Sequence, residues 1–175
     1  MLIILTLIIG IGYIVKKRIN AKKKTGSYGL GCLITIIVVI GIMAIVGVVA
    51  YNGYTASAKK NAVKTMHAQT LKYVSAEVQK CTLEGSNGKA FGSSSANCGQ
   101  INGNTGAVKA VADLVANSTD KNPYDNKEKA IKSSTSYVEG QVSVSGSGKV
   151  ITIKSCYVTA CSGDNISGVS TVTIE

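Results

Sequence analysis

The chain has 175 residues, which leaves room for one compact domain once a membrane helix is set aside. Its formal charge of +10 suggests a nucleic-acid binder until it is divided: Lys16, Lys17, Arg18, Lys22, Lys23 and Lys24 supply six charges before residue 25, and only +4 remains for the rest. There is no GxxxxGK[ST], HExxH or GxSxG pattern and His67 is the only histidine, so the chain offers no catalytic constellation and the expectation is a non-enzyme without a cofactor.

Leu2–Val15 is an apolar stretch of fourteen residues, short for a membrane span and followed by positive charge rather than preceded by it. It reads as a short first membrane helix that makes a hairpin with the second, an unusual leader that is cut off, or an upstream extension that is not translated. A removed or non-native leader is the favoured reading. Leu30–Tyr51 then runs for twenty-two residues without a charge. At ~1.5 Å rise per residue it reaches about 33 Å, enough to cross a hydrocarbon core of roughly 30 Å. The basic cluster before it stays cytoplasmic, so residues 52–175 are expected outside.

Beyond the span the helical period continues while the polarity changes. Val63, Met66, Thr70, Tyr73 or Val74, Val78 and Cys81 recur at three and four, with Lys59, Lys60, Lys64, Lys72 and Lys80 largely off the stripe. The spacing predicts one helix of about fifty residues, apolar in its first half and amphipathic in its second. Residues 82–104 are rich in Gly, Ser and Asn and read as an irregular loop. Thr105–Asn117 reads as a short helix with Thr105 as N-cap and Val108, Val111, Ala112 and Val115 on one face. Asn122-Pro123-Tyr124-Asp125 is a turn. Strands are expected over Tyr137–Ser145, Lys149–Tyr157 and Val169–Ile174, the first two joined by a hairpin turn at Gly146-Ser147-Gly148. The predicted fold class is α+β, a long helix packed against a small antiparallel sheet.

Cys81, Cys98, Cys156 and Cys161 lie in the outward part and Cys32 in the apolar run. An even count in a small exported domain reads as a disulfide framework. Four cysteines allow three pairings. Cys81–Cys98 with Cys156–Cys161 is the expected one, because each pair closes a local loop and leaves the two regions independent. A zinc site is the competing reading, but there is no CxxC and His67 is far from both pairs in sequence.

A long helix, apolar then amphipathic, followed by a disulfide-bonded loop and a small sheet resembles the type IV pilins and the related pseudopilins of type II secretion. Pilins mature at a Gly before Phe-Thr-Leu-Ile-Glu, continue through a Val- and Ile-rich helix with a Gly midway, and reach a segment like Ile-Pro-Ala-Tyr-Gln-Asn-Tyr. Ile36 to Tyr54 follows that pattern, with Gly41 on the helix glycine and Ala50, Tyr51 and Tyr54 on the tail. The resemblance covers residues 28–175 in architecture and 36–60 in residue detail. Its register implies processing between Ser27 and Tyr28, a mature chain of 148 residues, and an assembly helix carrying Cys32, Gly41, Tyr51 and Tyr54. Two positions depart from the family: Ser27 stands at its cleavage Gly, and Cys32 at the glutamate that pairs with a neighbouring subunit's methylated N-terminal amine. A thiol cannot make that pair.

The resemblance implies three regions: a leader or extension over 1–27, a membrane and filament-core helix over 28–54, and an exported head over 55–175. It implies a precursor in the inner membrane, a prepilin peptidase and pilus assembly machinery as partners, and an extracellular homo-oligomeric filament serving adhesion, twitching motility or DNA uptake. A pseudopilin and a two-span membrane protein with an exported binding head are the alternatives. Asp120, Asn122, Asp125 and Glu128 around the Pro turn, and Asp164-Asn165 later, carry oxygen ligands of the kind that hold calcium, but without EF-hand order, and a solvated turn is the preferred reading. Lys59, Lys60, Lys64 and Lys72 form a basic face better read as solvated or used between subunits than as a DNA track. His67 is expected at the surface or partly packed, and Cys32 as a small apolar residue in a helix interface.

Overall fold

The computed structural model describes Tyr13, Lys16, Lys17 and residues 29–92, 97–158 and 160–175, with side chains along the first helix from Ile34 onward. Leu2–Val15 apart from Tyr13, and the junction Ser27-Tyr28, lie outside the described residues. The chain divides into two compact units, Met1–Gly53 and Tyr54–Glu175.

Helix α1 runs Gly29–Glu84, 56 residues, and supplies both units. In the first unit its apolar side chains lie open: Ile37, Met43, Ile45 and Val49 are all exposed. Among the described residues this is the one helix long and apolar enough to cross a membrane.

In the second unit α1 buries Val63, His67, Thr70, Val74, Val78 and Cys81, a stripe at intervals of three and four. Cys81 is joined to Cys98. The expected irregular loop is partly ordered: α1 continues into a 3₁₀ turn Gly85–Asn87, Lys89 bridges Asn97, and a one-turn helix α2, Cys98–Ile101, follows. Asn97 caps α2 by accepting from the Gly99 N–H at 2.7 Å.

Helix α3 spans Gly106–Asn117. Thr105 precedes it, but its side chain makes no capping hydrogen bond. The buried face also differs from the expected one. Ala107, Ala110, Val111 and Leu114 face the core, whereas Val108 is exposed and Ala112 lies on the open side. The sheet comes close to the start of this helix, where a Cβ on Gly146 would meet the Ala107 carbonyl at 2.4 Å, while Val111 and Leu114 fill the core further along.

Four strands follow: β1 Ile131–Ser133, β2 Val142–Ser147, β3 Val150–Cys156 and β4 Ile166–Thr173, in spatial order β1-β2-β3-β4. The β2–β3 and β3–β4 pairs are antiparallel, but β1 pairs parallel with β2, so the sheet is mixed rather than antiparallel throughout. The expected strand over Tyr137–Ser145 is shortened because Gln141 N–H closes a turn on the Val138 carbonyl at 3.1 Å. Only from Val142 does the ladder run. The hairpin turn is also tighter than expected. Ser147 pairs with Val150, leaving Gly148-Lys149 as the loop, and Gly148 takes φ +56° at the first central position, where a II′ turn calls for glycine.

Register puts Val142, Val144 and Gly146 beside Ile151, Ile153 and Ser155, and these beside Ser170 and Val172. That face, the second half of α1 and the inner face of α3 enclose one core, with Phe91 and Ile101 wholly buried in it. The architecture is α+β with a pilin-like layout.

Candidate functional site

The exposed apolar helix is one candidate surface. Of the expected assembly residues, Cys32 and Gly41 fall within α1, and Tyr51 and Tyr54 are 69% and 76% exposed. Among the described residues a Cβ at Gly41, Gly47 or Gly53 would meet nothing within 4 Å, so no packing against those residues accounts for these glycines.

The head is fastened to the second half of α1 by polar as well as apolar contacts. His67, expected at the surface or partly packed, is packed against the sheet, its ring facing hydroxyls on both β3 and β4. Its Nε2 is 2.9 Å from the Ser170 hydroxyl and its Nδ1 3.1 Å from the Ser155 hydroxyl. A register shift between Ile153 and Ser155 brings Ser155 opposite Ser167. Burial pushes the His67 pKa below 6.5. A neutral imidazole offers one donor and one acceptor, which two hydroxyls can match.

Phe91 makes the second fastening. It takes φ +56°, a backbone conformation costly for a bulky side chain. Both of its main-chain groups are held by side chains from two helices: Glu77 Oε2 accepts its N–H at 2.7 Å, and Asn117 Nδ2 donates to its carbonyl at 3.0 Å. Its ring meets Tyr73 edge-on, with centroids 6.0 Å apart. Burial, and then the Glu77 charge, raise the Tyr73 phenol pKa.

A third cluster gathers three lysines of the predicted basic face, Lys59, Lys60 and Lys64, while Lys72 is exposed and outside it. Lys60 and Lys64 lie 4.9 and 4.7 Å from the centroid of the Tyr157 ring, and Lys59 lies 5.4 Å from that of Tyr124. Each such contact is worth about 0.5–1 kcal/mol at a partly exposed site, against a repulsion of a few tenths for like charges four residues apart. Tyr157 is itself fixed. Its N–H donates to Asn165 O at 3.1 Å, its carbonyl accepts the Tyr124 hydroxyl, and its own hydroxyl donates to the Asp164 carbonyl. It lies inside the loop closed by the Cys156–Cys161 disulfide. Burial, and then the Glu139 charge, raise the Tyr124 phenol pKa.

The calcium candidates are dispersed into local turns. Asn122 is buried and accepts the Tyr124 N–H while donating to Glu139 O. Asp125 accepts the Lys127 N–H at 3.0 Å, Glu128 pairs with Lys132, and the main-chain carbonyl of Asp120 accepts from Ala130. Asp164 lies in the 3₁₀ turn Gly163–Asn165. Among the described residues no three His, Cys, Asp or Glu side chains come together as a metal-binding group.

Sequence reasoning missed Glu77, Phe91, Asn117, Tyr157, Ser155 and Ser170. The Asn122-Pro123-Tyr124 turn was the one local signal pointing near the lysine cluster. Comparison with protein-family models, with curated proteins and with solved structures finds no match.

Proposed function

We propose that this chain is a structural subunit, a type IV pilin-like protein made as a membrane precursor and polymerised through the first half of α1. One observation carries the reading: a single helix is apolar and open over Ile34–Val49, then becomes the buried stripe of a disulfide-bonded head. The mechanism is transfer of burial. In the precursor the open apolar surface faces lipid. In the filament the same surface packs against copies of itself while the head stays in water. Repeated heterologous contacts that do not close a ring build an open fibre. With Cys32 where the resembling family has glutamate, assembly of this chain proceeds without the carboxylate–amine pair, on apolar packing alone.

N-terminal sequencing and intact mass of the protein purified from its source test this. A mature chain starting at Tyr28 or Ser27 is expected, recovered in sheared extracellular fibres. A chain that begins at Met1 and stays in the membrane fraction overturns the reading.

A further inference from the structure

The acceptor pattern Asn-x-Ser/Thr, with x other than Pro, occurs twice in the sequence, at Asn117-Ser118-Thr119 and Asn165-Ile166-Ser167, and both copies lie in the second unit. Their amides stand differently. An Asn side chain has two N–H donors, and at Asn117 both are committed: Nδ2 donates to the Phe91 carbonyl at 3.0 Å and to the Asp113 carbonyl at 2.9 Å. A sugar on that nitrogen would leave one hydrogen for two acceptors, one of them on Phe91 at φ +56°.

Asn165 is held by its main chain alone. Its carbonyl accepts the Tyr157 N–H and its N–H donates to the Ser162 carbonyl, both at 3.1 Å, whereas its carboxamide has no hydrogen-bond partner among the described residues. It closes the 3₁₀ turn Gly163–Asn165, in which no residue is buried, and Ile166 then leaves in extended conformation at φ −110°, ψ 145°. The space on both sides is open: among the described residues a Cβ on Gly163 or on Gly168 would meet nothing within 4 Å. Ser167, whose hydroxyl completes the pattern, is part-exposed on β4.

Strand β4 also has a use for a bulky polar group. It is the outer strand of the sheet beside β3, and Ile166–Thr173 holds eight residues with no charge and no proline. An open edge of that kind invites pairing with another chain unless something blunts it. A glycan is bulky and solubilising, and one on Asn165 would stand at the first residue of the edge.

We infer that Asn165 is an N-glycosylation site of the head, modified from an oligosaccharide carried on a lipid phosphate, and that the glycan shields the β4 edge. This rests on the reading of the head as exported. In the transfer, Nδ2 of Asn165 bonds to the anomeric carbon, the bond from that carbon to the phosphate oxygen breaks with its electron pair on the oxygen, and one amide proton goes to the released lipid phosphate. The product amide keeps one N–H, and no side-chain hydrogen bond to a described residue is lost.

Tryptic mapping of the protein purified from its source tests this, because the two patterns fall in separate peptides, Ala110–Lys121 and Ser155–Glu175. A sugar mass is expected on Ser155–Glu175 and none on Ala110–Lys121. With the full chain re-expressed in the same source, Ser167→Ala is expected to lose that mass and to raise light scattering of the solubilised protein severalfold on warming. Ser167→Thr, which keeps the acceptor pattern, should match the wild type in both. An unmodified Ser155–Glu175, a mass that survives Ser167→Ala, or a sugar on Ala110–Lys121 overturns the site, and light scattering unchanged by Ser167→Ala overturns the shielding. Failure of the export reading is separately visible in the same digest, as free thiols at Cys81, Cys98, Cys156 and Cys161.

Discussion

In the first half of α1, Ile37, Met43, Ile45 and Val49 are 67–69% exposed, whereas in the second half Val63, Val74 and Cys81 are fully buried. The first half is dense in Ile and Val, which are mediocre helix formers in water, and none of its described side chains belongs to the head's core. In the proposed membrane-inserted precursor, what favours helix there is a medium that leaves no partner for a free N–H or C=O except the chain itself. The second half has ordinary polar helix composition and is helical because its stripe closes a core. A sequence run of one secondary structure thus carries two different stability problems, one solved by surroundings and one by packing.

A charge introduced into each half should separate them most sharply. Val74→Asp places an unpaired carboxylate in the core, at a cost of about 4 kcal/mol or more, which is most of the stability of a domain this size. Loss of cooperative thermal unfolding by circular dichroism is the expected result. Ile40→Asp lies on the open half and should leave the head's melting unchanged while removing the protein from the membrane fraction. If Ile40→Asp melts the head, the two halves are not independent and the comparison fails.

Opening the disulfide at the end of the stripe is the next largest effect. Cys81→Ser with Cys98→Ser frees a link across seventeen positions, for which about 2–5 kcal/mol is expected. Cys156→Ser with Cys161→Ser frees a link across five and should cost less, since a short loop has less unfolded-state freedom to lose. Denaturant midpoints of the two variants check the order. A larger loss at Cys156–Cys161 would mean that fixing Tyr157 matters more than loop closure.

The stripe, the long helix and the expected cysteine pairs were legible because each rests on local period or local loop closure. The inner face of α3 was not. Val108, Val111, Ala112 and Val115 make the more hydrophobic arc, but the chain turns Ala107, Ala110, Val111 and Leu114 inward, and the close approach of Gly146 to the Ala107 carbonyl exists only in the folded chain. Strand β1, three residues long, is too short to show a period of two, so its parallel pairing with β2 left no trace in composition. His67, among Ala and Gln, reads as a surface or partly packed residue with no sign of what it packs against. Its partners Ser155 and Ser170 are 88 and 103 positions away, beyond any spacing argument.

That histidine supplies the smallest and most specific test of the packed half. Its pKa is lowered by burial in the folded head and stands near 6.5 when the chain unfolds. At pH above 6.5 both states are neutral there and the full stability is present. As pH falls below 6.5 the unfolded chain takes up a proton that the folded head resists, so stability declines until the folded pKa is passed. Carboxylates titrate at lower pH and are common to any variant, so His67→Gln, which keeps an amide for the serine hydroxyls, isolates the effect. The wild-type denaturant midpoint should drop between pH 7 and pH 5 by more than that of His67→Gln. Parallel profiles would mean that the imidazolium donates to both Ser155 and Ser170 at little cost, and that the polar fastening of α1 to β3 and β4 tolerates either charge state.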